Sequence, residues 1–156
     1  MTLRFAFLTV GLPLLFVAML PARGEWVSGP RDRNGVPLER GQGAWIVDAT
    51  INGRVRGRFL LDSGATWCSV SSETAARLRL AQTGRRIDID TAGGTIRLPF
   101  IRLESVGVGD HKARDLQATV HDLPGELGEL DGIIGLNFLD HFTWAIDPRR
   151  SILRLE

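Results

Sequence analysis

Phe59-Leu60-Leu61-Asp62-Ser63-Gly64-Ala65-Thr66-Trp67-Cys68-Ser69-Val70 is the stretch on which the reading of this chain turns. Three apolar residues lead into an acid, as in a buried strand that carries a carboxylate out of its end. Gly64 lets the backbone turn sharply and approach another group closely. Ser63 adds a hydroxyl able to bond across a short gap. A carboxylate on a rigid strand end beside a glycine turn is a platform for acid–base chemistry. The same tetrapeptide also suits an ordinary Asp-Ser-Gly turn, so the rest of the chain has to decide between the two.

Working outward, Ala44 to Ile51 places Trp45, Val47, Ala49 and Ile51 on one face of a strand. Asn52-Gly53 then signals a tight hairpin back through Arg54 to Leu61. Beyond the turn, Cys68 to Val70 continues as strand. Ser71-Ser72-Glu73 caps a short helix, expected over Thr74 to Leu80 with Ala75, Leu78 and Ala76 facing in. Ile87, Ile89 and Thr91 alternate with polar residues, as do Ile96, Leu98 and Phe100 after an Ala92-Gly93-Gly94 turn. This is a hairpin with a flexible glycine tip, and Pro99 argues that its second strand lies at an edge. Two further strands, Ile101–Val108 and Leu116–Val120, flank a Gly109-Asp110 turn. Asp131-Gly132-Ile133-Ile134-Gly135 is a short buried strand between glycines. A helical turn or two from Leu136, and strands Phe142–Ile146 and Ile152–Leu155, complete the chain. Short strands at regular spacing predict an all-β domain, a small closed barrel with one or two short helices.

Met1–Gly24 stands apart from the fold. Arg4 precedes an apolar run, Phe5 to Leu20, interrupted at Gly11 and Pro13. The run is shorter than the roughly 20 residues of a transmembrane helix, and Ala22-Arg23-Gly24 offers small residues for cleavage. A cleaved secretory signal is expected, with an uncleaved membrane anchor as the alternative. The domain is therefore expected to be periplasmic or secreted, or held at the inner membrane. Residues 25–43, rich in Gly, Pro, Arg and Asp, read as a linker or arm, which leaves 44–156 as the single folded domain. Loss of Arg4 and Arg23 takes the net charge from +1 to −1. That balance, and the lack of a basic patch interleaved with aromatics, argue against nucleic acid. Cys68 is the one cysteine, so no internal disulfide is expected, and its apolar setting predicts a packed thiol. His111, His121 and His141 lack ligand spacing, so neither a metal nor another cofactor is expected.

Together, Asp62-Ser63-Gly64-Ala65, the glycine-tipped hairpin and Ile133-Ile134-Gly135-Leu136-Asn137-Phe138-Leu139 resemble the retropepsin-type aspartic proteases. That family includes the retroviral proteases and single-domain bacterial relatives with an N-terminal membrane segment. The resemblance spans Trp45 to Leu155. It implies that Asp62 is the catalytic carboxylate of an endopeptidase acting on polypeptides. Ser63, in place of the more usual Thr, would bridge two active-site loops. Gly64 would contact substrate through its backbone, with Ala65 completing the loop. Ala92, Gly93, Gly94 and Thr95 would form a flap tip, and Ile133, Ile134 and Gly135 would brace the catalytic loop from behind. Viral members also pair an acid after this segment with an Arg after the second glycine. Here Thr66 or Trp67, and Leu136, stand at those places, so both charges are absent together. The chemistry needs two carboxylates, one protonated and one ionised. The sequence supplies one in the right setting, which implies a homodimer. The end strands, Ile152–Leu155 and the arm before Trp45, are expected to interleave across its two-fold axis. The alternative is a catalytically silent domain of the same fold that binds peptides or dimerises.

Overall fold

The computed structural model describes residues 35–41, 43–81, 84–91, 93–125 and 129–156. The export segment and residues 25–34 of the expected arm lie outside them. Among these residues, ten strands and two short helices follow in order: β1 Gly35–Gly41, β2 Ala44–Ile51, β3 Val55–Leu61, β4 Cys68–Val70, α1 Ser72–Arg77, β5 Arg86–Thr91, β6 Gly94–Val108, β7 His111–Val120, β8 Gly132–Ile134, α2 Leu136–Leu139, β9 Trp144–Asp147 and β10 Ile152–Leu155. The expected all-β class is what is found.

Six of the strands close on themselves. The order runs β6-β7-β4-β8-β3-β2, and β2 pairs back onto β6 through Ala49↔Val108, Thr50↔Gly107 and Ile51↔Val106. Closure removes the exposed edges that a six-stranded open sheet would carry. Phe59, Val70, Leu103, Val106, Ala118, Ile134 and Phe138 fill the inside and are fully buried. The hairpin at Asn52-Gly53 forms as its sequence demands, with φ of 52° and 64° at the two residues. Asn52 also ties the turn across the ring, because its backbone N–H donates to Ser105 O (2.8 Å) and its Oδ1 accepts from Ser105 N–H (3.1 Å).

Several boundaries differ from expectation, each for a visible reason. The expected linker over 25–43 contains a strand, β1. Val36 and Leu38 alternate inward and are buried, although the Gly and Pro around them mask the pattern. Strands expected separately over 95–100 and 101–108 are one strand, β6. Its first part pairs with β5 alone and its second part with β7, starting at Phe100↔Thr119. Pro99 sits where the partners change, and Phe100 rather than Pro99 donates to Arg85 O (2.9 Å). The edge character read from Pro99 thus applies to the β5–β6 ribbon only. Helix α1 stops at Arg77, two residues before Arg79 takes a φ of 52°. Ser71 caps it as expected, but Ala76 is exposed, and Thr74 is the buried residue on its inner side.

The end strands do not await a partner. β10 pairs with β1 through Gly35↔Arg154 to Pro37↔Ile152, and with β9 through Ile152↔Asp147 to Leu155↔Trp144. Both sides of β10 are therefore occupied within the chain, which corrects the expectation that it interleaves with a second subunit.

Candidate active site

β3 ends at Leu61, and the chain turns at Asp62. Ala65 N–H donates to Asp62 O (3.2 Å), closing the turn, and Gly64 N–H donates to Asp62 Oδ1 (2.8 Å). The side chain thus bonds its own turn, a habit of Asp at such positions. Asp62 is half-buried, and the Gly64 bond is the one its carboxylate makes among the described residues. Ser63 is exposed beside it.

The loop from Asp62 to Trp67 lies along the segment Ile134–Asn137. Asp62 N–H donates to Ile134 O (3.1 Å), Leu136 N–H to Ala65 O (2.8 Å) and Asn137 N–H to Thr66 O (3.1 Å). Backbone bonds therefore join the two segments at Thr66 and Leu136, the places where the resemblance to viral proteases would put an acid and an arginine. Ile133 pairs with both Leu60 and Ser69, and Ile134 is fully buried. The flanking glycines are required by close approach. A Cβ on Gly135 would stand 2.7 Å from Ala65 O and from the carbonyl carbon and oxygen of Trp67. Real Cβ atoms do not approach a backbone so closely, so the glycine spacing records where one segment crosses the other.

The β5–β6 ribbon stands beyond this loop. Ile87↔Leu98 and Ile89↔Ile96 pair across it, giving one apolar face whose four side chains are only half-buried. Its tip is less free than the glycines suggest. Thr91 Oγ1 donates to Gly94 O (2.7 Å) and accepts from Gly93 N–H (3.2 Å), and Thr95 Oγ1 donates to Asp90 Oδ1 (2.7 Å). Gly94 has φ +113°, which L residues rarely adopt. Ala92 lies outside the described residues. The base of the ribbon meets the loop where Trp67 packs edge-on to Phe100, at 5.5 Å between centroids, with the Arg85 guanidinium 5.1 Å over the Phe100 ring.

Asp131, the other acid beside these strands, has a different task. Its Oδ2 accepts from Arg58 N–H (2.9 Å) and its Oδ1 from the Thr74 hydroxyl (3.1 Å). Its backbone N–H donates to Arg58 O, and its carbonyl accepts from Ser71 N–H. Asp131 thus pins β3, α1 and β8 together. Phe59 pairs with Gly132, so Asp131 lies level with Arg58, four residues back along β3 from Asp62. At the rise of a strand that is about 13 Å, too far for two carboxylates to share a proton.

Sequence reasoning missed three residues around the loop: Cys68 as a hydrogen-bonding group, Asn137 and Phe100. Asn137 carried a signal, as a polar side chain inside the apolar run Ile133–Leu139. Its Oδ1 accepts from Cys68 N–H (2.8 Å) and its Nδ2 donates to Gln117 O (2.7 Å).

The aspartyl protease family profile matches residues 47–138, well over half of the chain. The retropepsin-like aspartic protease of Rickettsia conorii has a similar structure. The two share 24% identity and a TM-score of 0.54, over 78% of this chain and 86% of that one. No curated protein matches the chain. With the matched segment running from β2 through the Asp62 loop to α2, the chain belongs to the retropepsin-like aspartyl protease family.

Proposed function

We propose that this chain is an aspartic endopeptidase whose active species is a homodimer, with Asp62 of each subunit forming the catalytic pair. The observation that carries this reading is the setting of Asp62. Its carboxylate stands half-exposed at the end of a rigid strand, bonded among the described residues by Gly64 N–H alone, on a loop fixed to the facing segment by three backbone bonds. The second acid of the chemistry is the partner subunit's Asp62, since Asp131 is engaged elsewhere and about 13 Å away. Asp62 borders neither the cleft of about 550 Å³ beside Gly53, Arg56 and His111 nor that of about 300 Å³ beside Arg85 and Phe100. A second chain set against this surface would give Asp62 the enclosed setting that the reaction needs.

The mechanism follows from two carboxylates at contact distance. Both cannot be ionised, so the pair holds one proton. Water between them gives a proton to the ionised carboxylate as its oxygen bonds to the peptide carbonyl carbon. The protonated carboxyl gives its proton to the carbonyl oxygen, which forms a neutral gem-diol. Transfer of a proton from the pair to the amide nitrogen then breaks the C–N bond, and the second hydroxyl proton returns to the pair. Ser63 hydroxyls meet across the two-fold axis, and Gly64 and Ala65 offer backbone groups to the substrate. Gly93, Gly94 and Thr95 belong to the tip of a covering flap. The half-buried face of Ile87, Ile89, Ile96 and Leu98 suits closure over an apolar stretch of polypeptide.

Cleavage of a quenched fluorescent peptide library tests the reading. Specific activity should fall as the protein is diluted, because a monomer holds half a site. Excess Asp62→Asn chains should poison wild type by forming mixed dimers. The pH profile should be bell-shaped, with two apparent values that belong to the pair. A monomer by sedimentation at concentrations where specific activity is constant would sink the shared pair. A wild type that binds peptides without cutting them would favour the silent alternative.

We propose further that the domain lies outside the cytoplasm, a reading supported by Arg4 and the apolar run Phe5–Leu20. A reporter fused after Glu156 should be active only if it folds beyond the membrane. Activity of a cytoplasm-restricted reporter, with none from an export-dependent one, would reverse this placement.

A further inference from the structure

Cys68 does more than fill space. It is 1% exposed, on the first residue of β4, immediately after the Asp62–Trp67 loop. Its Sγ accepts from Gly135 N–H (3.4 Å). Helix α2 begins after Gly135, which has no side chain to cap it, and no capping side-chain bond is made at that position. The sulfur of Cys68, reaching across from β4, takes the N–H of Gly135 itself, while the next two N–H groups, of Leu136 and Asn137, go to Ala65 O and Thr66 O. The reverse connection is made by Asn137, whose Oδ1 accepts from Cys68 N–H while its Nδ2 holds Gln117 O on β7. Side chain meets backbone in both directions. Burial pushes the thiol up to about 11, so at neutral pH it stays an uncharged S–H, able to accept from an amide without bringing a charge into the core.

The two ends of the Asp62 loop are thus fastened to the two ends of one short segment. Asp62 N–H is held by Ile134 O at one end, and Cys68 is clasped to Gly135 and Asn137 at the other. Slack at the Cys68 end is transmitted through Trp67, Thr66 and Ala65 to the turn that aims the carboxylate. We propose that Cys68 and Asn137 form a clasp that positions Asp62, with the Cys68 sulfur acting as a hydrogen-bond acceptor rather than as packing. This deepens the reading of Asp62 as the catalytic acid and rests on it. In a shared pair the distance between the carboxylates sets how far apart the two apparent pH values lie. A residue that fixes Asp62 therefore fixes the width of the pH profile.

The test compares Cys68→Val, which keeps apolar volume and lacks an acceptor, with Cys68→Ser, which keeps an acceptor and packs less well. Cys68→Ala lacks both. All are made in the full chain beside wild type and Asp62→Asn. Cys68→Val is expected to lower kcat about tenfold or more with KM changed less than about twofold, and to draw the two limbs of the pH profile together, because a small misplacement near the chemistry is costly. Cys68→Ser is expected to stay within about threefold of the wild-type kcat and to keep the profile's width, even if it melts lower than Cys68→Val. A packing role predicts the opposite order, with Val near wild type and Ser impaired. That order overturns the proposal, as does a loss of kcat that tracks melting temperature across all three variants. If wild-type cleavage does not depend on Asp62, the proposal and the reading of Asp62 fall together. If it does depend on Asp62 and Cys68→Val matches wild type, only the clasp falls.

Discussion

Asp62→Asn should leave the protein folded and lower kcat/KM for peptide cleavage about 10³-fold or more, the scale expected when a central acid–base group is removed. Asn has nearly the shape of Asp, and its amide oxygen can still accept from Gly64 N–H, so the turn survives. The amide cannot take a proton from water or pass one to the substrate. The stability change should be small, on the order of 1 kcal/mol, because one charge-assisted bond at a half-exposed site becomes an ordinary one. Matched thermal melts and cleavage kinetics on purified protein decide the matter. An Asn variant that cuts at the wild-type rate would show that another group does the chemistry. Asp131 would be a poor replacement, since both of its oxygens are held by Arg58 N–H and the Thr74 hydroxyl.

The largest loss of stability should come from a single methyl group. Gly132 has φ +149°, and a Cβ there would lie 2.0 Å from Ser69 O, 2.7 Å from its carbonyl carbon and 2.8 Å from Val70 Cα. These are backbone atoms of β4, so no side chain can swing aside. Ser69↔Ile133 and Val70↔Gly132 are the pairings that join β4 to β8 in the closed ring. Gly132→Ala must push those strands apart, and should cost about 3 kcal/mol or more. Gly53→Ala is the matched control. It also has positive φ, +64°, but nothing lies within 4 Å of the added methyl. Backbone strain alone should cost it about 1–2 kcal/mol. Urea unfolding of both variants gives the comparison. Equal losses would mean that the crowding at Ser69 is not what makes Gly132 necessary.

What could be read from the chain was local. Asn52-Gly53 announced its hairpin because a two-residue turn with both φ positive needs those residues. Leu61-Asp62-Ser63-Gly64 announced a strand end because apolar period and turn chemistry change within four residues. Ser71 announced the start of α1 by the same kind of local rule. What stayed hidden was made by contact between distant segments. β1 has only Val36 and Leu38 to mark it, and its pairing with β10 joins the two ends of the described chain. The unity of β6 depends on its changing partners at Pro99, which no local rule foresees. Cys68 read as a packed thiol, and it is buried. Its bonds to Gly135 and Asn137 cross nearly seventy residues of sequence and arise only when the loop lies against α2. The glycines at 132 and 135 were visible, whereas the reason for them was not, because it lies in the backbone of Ser69 and Trp67.

The pairing of β10 on both sides within its own chain bears on how the proposed dimer would come apart. An enzyme whose ends complete a partner's sheet cannot separate without losing part of its fold. Here β10 is paired by β1 on one side and β9 on the other, so among the described residues it needs no strand from a second chain. Separation of the proposed dimer would then be an act of undocking, free of the refolding that exchanged strands would demand. On the proposed dimeric reading, the protein would be stored as intact, idle halves, and the amount of it gathered in one place, rather than any maturation of its fold, would set how much of it is at work.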